Sequence, residues 1–173
     1  MRYVRKISEN AWFIMPELDA DAISELGTIN HDLSVWEVPD NLSNIDDIAL
    51  ALAMSRSKIE EMYIVLLSID EIKKDYNWDV QFNKQLGNSF FTAINGAHTN
   101  FEIETFWHQG FLAEYIKKKI ANSQNYKYYD VLTLQTLLYE AVKKGILLKD
   151  EVKKRGGDWK KALADMEVIY GKV

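Results

Sequence analysis

"MYIVLL", residues 62–67, is the stretch on which the fold turns. Six apolar residues in a row are too few for a helix and are bounded by polar sequence, so they read as a β-strand. The run is apolar on both faces, which is the pattern of a strand covered by helices on either side. Upstream, Ile45, Ile48, Ala49, Leu52 and Ala53 recur at helical spacing. Ser43 or Asn44 is placed to cap that helix, and Asp46 and Asp47 suit its positive end. Before it, "LSVWEV" (33–38) reads as a strand closed by Pro39. Asp19 to Leu26 reads as a short helix ending at Gly27, and Ala11 to Met15 as a buried or edge strand stopped by Pro16. Asp70 to Tyr76 adds one or two helical turns after the 62–67 strand.

Residues 11–67 thus spell β-α-β-α-β. The expected fold class is α/β, with α+β as the alternative: a small three-stranded N-terminal part and a helical C-terminal half packed on it. Parallel strands joined by right-handed crossovers are the default for such an order.

Residues 77–100 change character, with five asparagines, two glycines and scattered aromatics. They read as a long connection around one short helix near Ser89 to Ile94, and long connections in compact domains are often functional. From residue 101 onward the pattern is helical. Glu102 to Ile120 carries an apolar stripe and ends in Lys117, Lys118 and Lys119. Asp130 is placed to cap a helix running through Val142, with Lys143, Lys144 and Gly145 as its stop. "KKRGG" reads as a turn, and Asp158 as the cap of a last helix over Trp159 to Tyr170. The organisation is therefore 1–76, 77–100 and 101–173 within one compact domain.

The 173 residues contain no cysteine, which removes disulfides, thiolate metal sites and a cysteine nucleophile together. The apolar run "AWFIM" near the N-terminus is shorter than a signal-peptide core, and no run approaches the roughly 18 residues of a membrane span. The expectation is a cytoplasmic protein with no membrane association. Charge is uneven: the first 86 residues hold 8 basic and 16 acidic side chains, the rest 13 and 10. An acidic half repels phosphate, so nucleic acid is disfavoured; it suits a basic protein partner, although a mildly acidic surface is first of all what keeps a protein soluble.

No phosphate-binding loop, dinucleotide fingerprint or G-x-S-x-G motif occurs, and no cofactor is expected. "HTNFEIETFWHQG" (98–110) concentrates two of the three histidines. His98, Glu104 and His108 are candidates for acid-base or metal chemistry, with His31 and Asp32 of "NHD" as partners from elsewhere. On one regular helix Glu102 and Glu104 point about 160° apart, so the set cannot converge by itself. Thr99 or Asn100 followed by two glutamates also reads as a helix entrance, and no metal site is assigned. Asp19, Asp21, Glu25, Asp46 and Asp47 read as helix-start acids rather than cation ligands.

Trp36, Trp78, Trp107, Tyr128 and Tyr129 are candidate recognition residues, because Trp and Tyr bury much area at little entropy cost. The expectation that follows is a non-enzymatic protein-interaction module, of the kind represented by immunity proteins, antitoxins and phage-related inhibitors in microbial cells. The alternative is a small-ligand-binding protein or enzyme with a site around residues 98–108.

Overall fold

The computed structural model describes residues 1–27 and 31–173. Asn30, the first residue of "NHD", lies outside the described residues. In chain order the elements are β1 (Arg2–Ile7), α1 (Glu9–Trp12), α2 (Ala20–Glu25), β2 (Asp32–Val38), α3 (Ile45–Ala53), β3 (Met62–Leu67) and α4 (Ile69–Tyr76). Then follow β4 (Phe82–Asn83), a 3-10 turn (Thr92–Ala97), β5 (His98–Glu102), α5 (Phe106–Ile120), β6 (Tyr126–Tyr129), α6 (Val131–Lys143), α7 (Lys149–Arg155) and α8 (Gly157–Tyr170).

The mixed α/β character is as the sequence implies, but the sheet differs from a three-stranded parallel one. It has six strands in the order β4-β5-β2-β1-β3-β6, and every neighbouring pair is antiparallel. The reason is β1. It runs against both β2 and β3 and lies between them, so β2 and β3 point the same way without touching. "RYVRKI" hides this strand because Arg2, Arg5 and Lys6 interrupt its apolar pattern. The expected strand at Ala11 to Met15 is instead the end of the single turn α1, which the Ser8 hydroxyl caps at the Ala11 amide, and the bend that follows it.

β3 is buried on both faces, between two helical layers. On one face Val4, Trp36, Val38, Ile64 and Leu66 pack against α3, α6, α7 and α8. On the other, Ile7, Leu33, Val35, Val65, Leu67 and Phe101 pack against α1, α2, α4 and α5. Each core holds a fully buried tryptophan, Trp159 in the first and Trp12 in the second. Truncating either to alanine removes about 3–5 kcal/mol. No helix of the described residues is long and apolar enough to cross a membrane.

The C-terminal half is not purely helical. Thr99 and Phe101 alternate inward along β5, and "YKYY" forms the edge strand β6 within the stretch expected to be helical. α5 starts at Phe106 with the Thr105 side chain accepting from the His108 amide, so the helix entrance lies beyond residues 98–102. Lys153 to Arg155 complete α7, and only Gly156 and Gly157 make the expected turn, both at positive φ. α8 therefore begins before Asp158, which sits in its first turn.

One irregularity positions the site. β1 and β2 pair from Arg2 opposite Val38 to Val4 opposite Trp36. Beyond that point β2 continues on β5 and β1 continues on β3, and the sheet parts between them. The Arg5 guanidinium bridges the opening and donates to the Ser34 carbonyl at 2.9 Å.

Candidate functional site

A cleft of about 850 Å³ opens over β2 and β5, on the face that also carries α3. Period-2 alternation puts Ser34 and Trp36 of β2, with His98 and Asn100 of β5, on its floor. Residues 85–90 of the asparagine-rich connection form one wall, and Ala51, Leu52 and Ser55 at the end of α3 form another.

The wall is tied down by Asn95. Its backbone carbonyl accepts from the Gly87 amide at 2.9 Å, and its side chain accepts from the Ser89 amide and donates to the Ser89 carbonyl. Gly87 lies so close to the floor that a Cβ there would stand 2.9 Å from the Trp36 ring and 3.2 Å from His98 Cβ. The glycine is what lets the wall touch the floor.

His98 is held at both ring nitrogens. Nδ1 is 2.9 Å from the Gln85 carbonyl, and Nε2 is 2.7 Å from the Ser34 hydroxyl. A carbonyl can only accept, so Nδ1 carries the proton. In the neutral imidazole Nε2 is then the acceptor, and Ser34 donates to it. Trp36 meets the imidazole edge-on at 5.2 Å between centroids and fixes its plane. A hydroxyl, an imidazole within hydrogen-bond reach and a third group orienting that imidazole are the parts of an activated nucleophile.

Asn100 stands directly opposite Ser34 across the β2–β5 ladder. It is 6% exposed, lines the cleft and makes no side-chain hydrogen bond among the described residues. An amide on the cleft floor, opposite the Ser34 hydroxyl, is placed to donate to charge developing on a carbonyl oxygen.

The other candidates are dispersed. His31, Glu102 and Glu104 line a second open pocket of about 310 Å³ that adjoins the cleft at Asp32, which lines both and accepts from Asn83 at 3.1 Å. His31 Nδ1 is 3.0 Å from the Ile103 carbonyl. Glu104 precedes α5, so it shares no helical face with His108. His108 stacks on Trp78 at 4.6 Å, with its Nδ1 buried and unpartnered. Among the described residues no three His, Asp or Glu side chains group as a metal cage.

Of the recognition candidates, Trp36 lines the cleft, Trp78 is buried, and the Tyr129 hydroxyl donates to Asp46 from the core. Tyr128 is exposed and donates to Glu61, a hydrogen bond that pushes its hydroxyl up to about 12. Trp107 is 76% exposed, beside Phe106 at 90%.

Ser34, Asn100 and Gln85 carry no local sequence signal for this role. The only clue was His98, and its partners lie 13 and 64 positions away along the chain. Compared with protein-family models, with curated proteins and with solved structures, the chain has no match.

Proposed function

We propose that this protein is a small-molecule acyl hydrolase acting in the cleft over β2 and β5. The observation that carries the reading is the Ser34 hydroxyl donating to His98 Nε2 while the Gln85 carbonyl holds His98 Nδ1. In the first half-reaction, Ser34 Oγ attacks an ester carbonyl carbon and passes its proton to His98 Nε2. The oxyanion faces the Asn100 amide. His98 then protonates the departing alkoxide, and an acyl ester remains on Ser34. In the second half, water attacks that ester and gives its proton to His98. The Ser34 oxygen leaves, takes the proton back, and a carboxylic acid is released.

The test uses a fluorophosphonate probe and 4-nitrophenyl hexanoate on wild-type protein, Ser34→Ala and His98→Ala. The expected outcome is a single covalent adduct on Ser34 in the wild type and none in Ser34→Ala. Ester hydrolysis should fall about 10²–10⁴-fold in either variant, with circular dichroism unchanged. Equal hydrolysis by wild type and Ser34→Ala removes the reading.

A second reading, as a protein-interaction module for a basic partner, is favoured by one observation. Phe106 and Trp107 are adjacent and exposed, and they follow Glu102 and Glu104 closely in the chain. Apolar anchors beside acidic groups suit a basic protein surface. Phe106→Ala with Trp107→Ala should abolish capture of such a partner and leave the fold intact. Unchanged capture would remove this second role.

A further inference from the structure

The cleft does not end at Ser34. Continuing the β1–β2 register from Val4 opposite Trp36 would set Lys6 opposite Ser34, but the strands have parted there. A second cavity of about 340 Å³ occupies the parting and shares Arg5, Ser34, Trp36 and Leu52 with the main cleft. Its charged groups are Arg5, Lys6, Arg56 and Glu25.

Their partners leave an imbalance. The Glu25 carboxylate accepts from the amide and hydroxyl of Ser8. Arg56 pairs with Glu60 at 2.6 Å. Arg5, by contrast, gives its two hydrogen bonds to neutral carbonyls, those of Ser34 and Glu25, and its Nε is buried without an acceptor. Lys6 is half-buried and has no hydrogen bond or ion pair among the described residues. Burial holds Arg5 down at about 10 and lowers Lys6, where the Arg56 charge adds to the effect. Cations withdrawn from water are ordinarily paired. Glu25 acts on both cations and Glu60 on Lys6, but among the described residues no carboxylate forms an ion pair with either, and the two face a cavity instead.

We propose that the parting between β1 and β2 is an anion subsite, in which Lys6 and Arg5 hold the carboxylate or phosphate arm of an acyl substrate. The position of the ester carbon at Ser34 rests on the hydrolase reading above; the anion subsite stands on its own charges. The substrate class is then an ester whose acyl chain or alcohol carries a negative group a few bonds from the scissile carbonyl.

Titration calorimetry at low ionic strength tests this with two probes, adipate and hexyl phosphate, against wild type, Lys6→Gln and Ser34→Ala. At least one probe should bind the wild type, and binding should weaken about tenfold or more in Lys6→Gln. It should persist in Ser34→Ala and weaken when sodium chloride is raised about tenfold. Adipate alone identifies a carboxylate arm, and hexyl phosphate alone a phosphate arm. Absence of binding by both probes overturns the subsite, as does Lys6→Gln binding like wild type. If Lys6→Gln does not fold, the salt series on the wild type decides: binding indifferent to salt overturns it. Anion binding without Ser34 labelling would leave the subsite and remove the hydrolase. Labelling without anion binding would do the reverse.

Discussion

Nε2 of His98 lies 2.7 Å from the hydroxyl of Ser34, although 64 residues separate them in the chain. The pairing of β2 with β5 makes this contact. Trp36 faces His98 and Ser34 faces Asn100, so His98 reaches Ser34 along the diagonal of the ladder. The two side chains share a face because both strands alternate with period two. The Gln85 carbonyl then selects the tautomer that leaves Nε2 free to accept.

A substitution at Asn100 would separate binding from chemistry. If its amide donates to the developing oxyanion, Asn100→Ala should lower kcat for 4-nitrophenyl hexanoate by about 10²–10³-fold. KM should move little, because the ground-state carbonyl needs the donor less. Steady-state kinetics decide this: a change confined to KM would make Asn100 a substrate contact only.

Gly87 sets the spacing of wall and floor. A methyl group there would stand 2.9 Å from both the Trp36 ring and Asn95 Oδ1, closer than real Cβ contacts come. Gly87→Ala should push residues 85–90 off the sheet and release the Gln85 carbonyl from His98. Ester hydrolysis should drop while the two cores stay intact. Near-ultraviolet circular dichroism should change in its tryptophan bands, and the far-ultraviolet spectrum should not.

Glu151 links the connection to α7 and gives stability an acid limb. Its carboxylate accepts from the Leu148 amide at 2.8 Å, from the Thr92 amide at 3.2 Å and from the Thr92 hydroxyl. Burial would raise its carboxyl, but these hydrogen bonds from Thr92 and Leu148 prevail and hold it below the ordinary range. With the folded value depressed, the stabilisation is present above the unfolded value of about 4.3 and is lost as pH falls through the lower folded value. Glu151→Gln should destabilise by about 1–3 kcal/mol at neutral pH and flatten the fall in Tm below about pH 4. Thermal melts between neutral and acid pH check both parts.

Trp12 and Trp159 should respond differently to the same substitution. Both are fully buried, but Trp159 Nε1 donates to the Arg56 carbonyl at 2.8 Å, whereas Trp12 Nε1 is buried without a partner. Trp159→Phe loses a hydrogen bond and leaves a carbonyl unpaired, while Trp12→Phe removes an unpaired donor. Denaturant unfolding should therefore find Trp159→Phe the more destabilising, by about 1–2 kcal/mol.

Much of the secondary structure could be read locally. "MYIVLL", "LSVWEV" and the helices starting at Ile45 and Val131 follow from apolar periodicity, and the Asp19 and Asp130 caps from helix-end chemistry. Four strands escaped, β1, β4, β5 and β6, and the two at the cleft floor did so for different reasons. β1 carries charges because the sheet parts beside Arg5 and Lys6, so its alternation breaks where the second cavity opens. β5 carries Thr, Asn and Glu, which suit a helix entrance equally well, and only the Thr105 cap seven residues after His98 marks the true one.

The sequence by itself determined that β3 is covered on both sides, since six consecutive apolar residues leave neither face for water. It also offered His98 as one of five candidates, with Glu104, His108, His31 and Asp32. Only the tertiary structure decided what His98 touches. The antiparallel register that sets Ser34 and Asn100 beside it, and the loop that brings the Gln85 carbonyl to its other nitrogen, are long-range pairings. Periodicity specifies which face a side chain takes, not which strand lies next to it. That choice came from β1, whose charges concealed it and whose place between β2 and β3 set the direction of the sheet.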